Sequence, residues 1–336
     1  MKKAQFYHKL KNNIVQCVLC PHYCIIKNDD FGKCKVRKNI DGRLYSLSYE
    51  HPVALNVDPV EKKPLYHFLP GEKAFSVGMA GCNLKCQQCQ NWDISQKGPE
   101  ELPTPKVSAK EVIERSKELN CPMTAYTYSE PLVSLEYVYE TAKLAKKQGI
   151  KNIIVSNGFI NPGPLKKLCR YIDGANIDLK SISDRFYREI CSAKIEPVLE
   201  TLKVLKQEGI WTEITNLIVP TLNDSEKDIK ELVEWIKENL GTATVLHFTA
   251  FYPCYKLLEL PPTPLEKLKK ARKIAIESGM KYVYTGNLPD EEGNNTYCPK
   301  CGKMLIKRRL FSITENNLNK GKCPKCHAKI YGFWTY

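Results

Sequence analysis

Cys82, Cys86 and Cys89 stand in a C-x3-C-x2-C spacing within Gly81-Cys-Asn-Leu-Lys-Cys-Gln-Gln-Cys-Gln-Asn-Trp92, just after the short apolar run Ala74-Phe75-Ser76-Val77. Three thiolates on one short loop fall one ligand short of a closed tetrahedral zinc site. They can, however, hold three irons of a [4Fe–4S] cluster and leave the fourth iron open to a ligand. Two further groups carry four cysteines each. Cys298, Cys301, Cys323 and Cys326 form two C-P-K-C knuckles, the pattern of a zinc ribbon, in which a four-thiolate site staples ~40 residues that are too few to build their own core. Cys17, Cys20, Cys24 and Cys34, with Pro21 and Gly32 as turn residues, read as a structural metal site, zinc ahead of a second iron–sulfur cluster. His22 stays outside it, since four thiolates suffice.

The remaining cysteines, Cys121, Cys169, Cys191 and Cys254, stand singly and read as inert buried thiols. The chain of 336 residues holds 15 cysteines. Its N-terminus is positive but has no continuous apolar stretch behind it, and no run approaches the ~20 apolar residues of a membrane span. The expectation is a cytoplasmic protein without membrane contact, whose cysteines serve metals rather than disulfides.

From residue 74 the pattern becomes strand, loop, helix, repeated. Strands are expected at 74–78, 123–128, 151–156, 175–180, 211–219, 244–251 and 281–285. Between them, Ser108-Ala-Lys-Glu111 is a capping box opening a helix that ends near Asn120, and a helix from Leu132 stops at Gly149. Asn223-Asp224-Ser225 caps Glu226–Asn239, and Thr263-Pro264 opens a helix stopping at Gly279. Six or seven βα units in series require parallel strands with helices outside, hence an α/β fold with a full or partial (β/α) barrel whose chemistry sits at the C-terminal strand ends. Residues 41–73, with alternating stretches such as Leu44-Tyr45-Ser46-Leu47, read as short strands leading into it. The expected division is 1–72 as an N-terminal Cys-rich segment with strands, 73–288 as the barrel and 289–336 as the ribbon.

The three-cysteine loop resembles the cluster loop of radical S-adenosylmethionine (SAM) enzymes, where the amino and carboxylate groups of SAM chelate the open iron. The resemblance is closest to the pyruvate formate-lyase activating enzyme group, and within it to the radical SAM member of the AmmeMemoRadiSam system. It extends to Asp58-Pro-Val-Glu-Lys-Lys-Pro-Leu-Tyr-His-Phe-Leu-Pro-Gly71, Gln90-Asn-Trp-Asp-Ile-Ser95 and Asn295-Thr-Tyr-Cys-Pro-Lys-Cys-Gly302, and spans nearly the whole chain. Two positions depart from the family pattern. Gln88 stands where an aromatic residue usually precedes the third cysteine, and Tyr128-Ser129 replaces the usual Gly-Gly before Glu130.

The resemblance implies a radical SAM fold, a [4Fe–4S] cluster and SAM as cofactors, and a one-electron donor such as flavodoxin or ferredoxin. It also implies site residues. Glu130 would take the SAM ammonium, the alternative being a carboxylate that caps the helix at Pro131. Ser156 and Asn157 would contact the SAM sugar or carboxylate, the alternative being a plain Asn-Gly turn. Lys180 would meet the SAM carboxylate and Asp178 would shape the same pocket. Strand alternation puts these two charges on one face, so a mutual ion pair is the alternative. His247 matches a histidine near the reaction centre of the activating enzymes, and a satisfied core histidine is the alternative.

Formal net charge is +14. Loaded with two four-thiolate zinc sites and one three-thiolate cluster it would be about +9, which suits an acidic protein partner such as an electron donor as well as RNA. Near the ribbon only Lys307-Arg308-Arg309 is a compact basic run, a thin basis for nucleic-acid binding. The reading is therefore an oxidoreductase that reductively cleaves SAM to a 5′-deoxyadenosyl radical for hydrogen abstraction from a protein or small-molecule substrate. The rivals are a basic zinc-ribbon protein contacting RNA and a radical SAM enzyme modifying a peptide or RNA.

Overall fold

The computed structural model describes residues 1–335. Eight strands form its central sheet: β1 Ala54–Pro59, β2 Lys73–Gly78, β3 Met123–Thr127, β4 Lys151–Ser156, β5 Gly174–Asp178, β6 Trp211–Ile218, β7 Val245–Ala250 and β8 Tyr282–Gly286. They lie in chain order across the sheet. β1 runs antiparallel to β2, and every pair from β2 to β8 is parallel. β1 and β8 are not paired with each other, so the barrel is partial. Each parallel step needs a crossover, and six helices serve: α1 Ala109–Glu118, α2 Leu135–Lys147, α3 Pro162–Cys169, α4 Glu196–Gln207, α5 Glu226–Asn239 and α6 Leu265–Glu277.

The local reasons are those legible in the sequence. The Ser108 side chain accepts from the Glu111 amide while the Glu111 carboxylate accepts from the Ser108 amide, and Ser225 accepts from the Asp228 amide. Each such cap contributes about 1 kcal/mol. Gly149 and Gly279, just past α2 and α6, have φ of 74° and 97°, the left-handed turn that stops a helix. β3 and β7 are buried along their whole length, as parallel strands covered on both faces must be. Among the described residues no helix is long and apolar enough to cross a membrane.

Both appendages share hydrophobic clusters with the barrel. Val15, Cys17, Leu19, Ile26 and Leu44 join the main core, and Nη2 of buried Arg37 donates to both carboxylate oxygens of Glu136 of α2 at 2.7 and 2.9 Å. In the C-terminal piece, β9 Thr296–Tyr297, β10 Met304–Arg309 and β11 Ser312–Asn316 form an antiparallel sheet. Leu305, Ile306 and Ile330 from this piece pack with Tyr66, Val245, Tyr282 and Tyr284. Arg308 is buried there. It donates to the Tyr66 carbonyl and Thr296 Oγ1, both at 2.8 Å, and lies 3.7 Å from Glu61. The central charge of the Lys307-Arg308-Arg309 run is thus a docking residue.

Candidate active site

The loop after β2 turns at Gly81, where φ is 86° and a Cβ would lie 2.5 Å from the Cys34 carbonyl oxygen and 2.4 Å from Val36 Cγ2. Only glycine fits that approach. From there the loop is held on both sides. Lys85 and Gln87 amides donate to the Cys191 and Ile190 carbonyls at 2.9 and 3.0 Å. Asn83 Nδ2 donates to the Phe159 carbonyl at 2.7 Å, and buried Leu84 anchors the loop in the core. Cys86 is buried, while Cys82 and Cys89 are partly exposed.

These three thiols open onto a cavity of about 440 Å³ at the C-terminal ends of the strands, also lined by Glu130, Ser156, Asn157, Asp178 and Lys180. Every residue the sequence singled out for SAM contact is therefore gathered there. Lys180 Nζ lies 2.9 Å from Asp178 Oδ2. Burial opposes its charge, but Asp178 and the Cys86 thiol overcome this and hold the ammonium protonated, its pKa well above the usual value. A hydrogen bond from Cys191 pulls the Cys86 pKa down, with burial opposing and the Lys180 charge adding to the fall. A thiol so biased is closer to the thiolate a metal needs.

Glu130 is fully buried. Its carboxylate accepts from the amides of Leu132 (3.0 Å) and Asn157 (2.8 Å) and from Ser156 Oγ (2.8 Å). Burial nevertheless pushes its pKa up to about 7, three hydrogen bonds notwithstanding. The helix-capping alternative is thus realised, because Glu130 does cap the turn at Pro131–Ser134. The same carboxylate also faces the cavity, with no cation paired to it among the described residues. Asn157 Nδ2 donates to Asn83 Oδ1 at 2.9 Å and reaches Cys82 Sγ at 3.5 Å, which ties this corner to the cysteine loop.

His247 lies elsewhere. It is buried and its Nε2 sits 2.6 Å from Glu213 Oε2, a carboxylate that also accepts from the amides of Tyr66 and His67 at 2.9 and 2.8 Å. It does not line the cavity. The pairing is that of a satisfied core histidine, the alternative the sequence left open for this residue.

Sequence reasoning missed two features of the site, Cys191 and Lys63, and noted two others, Gln88 and Tyr128, only as departures. Gln88 is buried in the cavity wall and its Oε1 has no hydrogen-bond partner among the described residues. Cys191, read as an inert thiol, faces Cys86. Tyr128 occupies φ 71°, a conformation glycine adopts freely and tyrosine only under strain; its hydroxyl donates to Asp58. Lys63 Nζ meets that same Asp58 at 2.7 Å, and burial, only partly offset by Asp58, lowers its pKa to about 8. The departure at Gln88 and Tyr128 from the family pattern was the available signal.

The two four-cysteine groups differ in geometry. In the ribbon all four donor sulfurs lie within 4.8 Å of one another, with Cys298 to Cys326 at 3.5 Å and Cys301 to Cys323 at 3.7 Å. A tetrahedron with Zn–S of about 2.3 Å has edges of about 3.8 Å, so this group fits a single ion. Among the described residues, neither Cys17, Cys20, Cys24 and Cys34 nor the three loop cysteines supply three donors that close. The N-terminal four are still neighbours. The Cys17 amide donates to the Cys24 carbonyl at 2.9 Å, and the Cys20 thiol is pushed up to about 12 by burial and by Cys34, Cys17 and Cys24.

An open, mostly parallel α/β barrel with a three-cysteine loop facing a cavity at its strand ends is the architecture of one class of enzymes. The sequence pattern of the radical SAM superfamily matches residues 76–236, a little under half of the chain, and the α/β fold described above is the radical SAM fold. More particularly, the chain is 46% identical over 332 residues to an uncharacterized protein of Methanocaldococcus jannaschii, covering 98% of this chain and 99% of that one. It is 27% identical over 211 residues to the pyruvate formate-lyase-activating enzyme of Clostridium pasteurianum, with 59% of this chain and 87% of that one covered. With the pyruvate formate-lyase 1-activating enzyme of Escherichia coli K12 it shares 23% over 222 residues, 61% and 89% of the two chains.

Proposed function

We propose that this protein reductively cleaves SAM at a [4Fe–4S] cluster held by Cys82, Cys86 and Cys89, in the manner of the glycyl-radical activating enzymes. The observation that carries this is the meeting of three open thiols, a buried unpartnered amide oxygen and a set of fixed charges in one cavity. The donor set fits the group, since the thiols are too few and too far apart for one ion, and Cys86 is biased toward thiolate. When bound, the cluster and SAM supply one-electron cleavage of the sulfonium, yielding methionine and a 5′-deoxyadenosyl radical that abstracts hydrogen from substrate.

The chain's own residues hold and shield the reactants. Lys180, fixed by Asp178, offers a cation to the SAM carboxylate. Glu130 offers an anion to the SAM ammonium, and a cation bound there would draw its pKa back toward the ordinary carboxylate range. Ser156 and Asn157 position Glu130 and the Cys82 side of the loop. Gln88 Oε1 has a free acceptor for an amino donor of the ligand, in place of the aromatic contact of other family members. The substrate side is supplied in part by the ribbon, because Phe311 at its hairpin tip lines the same cavity. A flavodoxin or ferredoxin as donor and a protein as substrate follow from the likeness to the activating enzymes.

The test is formation of 5′-deoxyadenosine by anaerobically reconstituted, dithionite-reduced protein given SAM. Product that disappears in Cys86→Ala is the expected result. An intact cluster that yields none, with and without extracts of a native host as substrate source, overturns the reading.

A further inference from the structure

Cys17, Cys20, Cys24 and Cys34 are unexplained by the site just described, and the ribbon provides an internal standard for them. Where four thiols of this chain are arranged for one ion, their sulfurs close to 3.5 and 3.7 Å. The N-terminal four are neighbours that do not close in this way among the described residues, a feature they share with Cys82, Cys86 and Cys89. Thiolates on a [4Fe–4S] cluster each bind a different iron and so stand farther apart than those around a single ion.

Their placement is also unlike that of a remote structural clip. The Cys34 carbonyl oxygen is the group against which Gly81, the residue before Cys82, must pack. His22, between Cys20 and Cys24, has its Nε2 2.7 Å from the Asn83 carbonyl oxygen. Leu19 accepts from the Asn161 amide at 3.1 Å, and Asn161 Nδ2 donates to the Val18 carbonyl at 2.8 Å. One face of the N-terminal group is thus built onto the three-cysteine loop.

The opposite face reaches solvent. Cys20 and Cys24 are partly exposed, and around them Tyr23, Ile25 and Phe31 are exposed apolar side chains. Lys27 stands beside exposed Asp29 and Asp30, and Lys35 pairs with Glu101 at 3.1 Å, so the positive side of this face is where Lys33 shares a depression with Tyr23, Arg188 and Lys194. Apolar contacts rimmed by positive charge complement an acidic protein surface.

We propose that Cys17, Cys20, Cys24 and Cys34 hold a second [4Fe–4S] cluster, which accepts electrons from an acidic one-electron protein donor and passes them to the cluster on the three-cysteine loop. The role, though not the metal content, rests on the function proposed above. In each transfer the reduced donor loses one electron and the oxidised [4Fe–4S]²⁺ group becomes [4Fe–4S]⁺. That electron then moves on to the loop cluster, with no bond made or broken. Of the two metals the sequence left open for these cysteines, the proposal takes the cluster.

The test begins with a Cys82→Ala/Cys86→Ala/Cys89→Ala variant, reconstituted anaerobically with iron and sulfide and assayed for iron, sulfide and zinc and by electron paramagnetic resonance after reduction. About four irons per chain with a reduced-cluster signal, against about eight in the wild type, are expected. Iron at background with two zinc ions per chain overturns the assignment. The complementary Cys20→Ala/Cys24→Ala variant guards against misfolding of the first: it should lose half the iron of the wild type, and full retention overturns the proposal. In that variant the loop cluster should be reduced by dithionite but at least tenfold more slowly by photoreduced flavodoxin. Reduction by flavodoxin at the wild-type rate overturns the relay. Failure of SAM cleavage itself would appear separately, as absence of 5′-deoxyadenosine with both iron counts as expected.

Discussion

The ribbon and the three-cysteine loop use the same ligand atom toward opposite ends. In the ribbon, four sulfurs stand within 4.8 Å of one another, so a single ion would be fully enclosed and the short strands around it need supply little core. The loop stops at three thiols, and its surroundings are unfinished in the same sense. Among the described residues Gln88 Oε1 lacks a partner and Glu130 is buried without a cation, its pKa pushed up to about 7, while Lys180 is strongly held in its charged form. Complete coordination and complete hydrogen bonding mark a structural site. Incomplete ones, clustered in one cavity, mark a place built for something to bind.

The contrast is broken most directly by cysteine replacement. Cys86→Ala should reduce 5′-deoxyadenosine formation to background while circular dichroism and the melting curve stay near wild type. Cys301→Ala should do the reverse. It should release the ribbon metal and lower Tm by on the order of 10 °C, while folded protein still cleaves SAM. Equal loss of cleavage in both variants would erase the distinction.

A buried pair outside the cavity sharpens it further. His247→Ala leaves Glu213 uncompensated, which should lower the unfolding free energy by about 3–5 kcal/mol. Since His247 does not line the cavity, the rate of SAM cleavage per folded molecule should be unchanged; a large fall in that rate at normal stability would restore it to the reaction centre.

The smallest effect concerns pH. A carboxyl whose folded pKa is raised stabilises the protein below its unfolded value and loses that contribution as pH rises through the folded value. Between about pH 4.5 and 7, Glu130 should therefore remove on the order of 3 kcal/mol of stability. Glu130→Gln should flatten this slope relative to wild type in urea unfolding at pH 5 and pH 8, and SAM should flatten it in the wild type. Parallel pH curves for the two proteins would show that the carboxyl is already satisfied.

Much of this was legible in the sequence because it is local or periodic. The expected strand 151–156 coincides with β4, and Ser108 and Ser225 cap the helices their neighbours announce. Glu130, Ser156, Asn157, Asp178 and Lys180 could be placed at one end of the sheet because each ends or follows a strand. The strand that carries His247 was legible, but the depth of His247 was not. Thr249, two residues on and on the same side, reaches the cavity, whereas His247 stops below it against Glu213. The edge strand β1 falls in the stretch 41–73 read only as short strands; its place in the central sheet was not legible, since Asn56 and Val57 are exposed while Asp58 is buried. Cys191 meets Cys86 across more than a hundred residues of chain, a contact no local pattern encodes.

The most direct test of the central claim is the electron paramagnetic resonance spectrum of the reduced protein before and after addition of SAM. If the three-cysteine loop leaves one iron open, SAM must perturb the signal in wild type, and the perturbation must vanish in Cys86→Ala. A fully assembled, reduced cluster on the loop whose spectrum is identical with and without SAM would contradict the account.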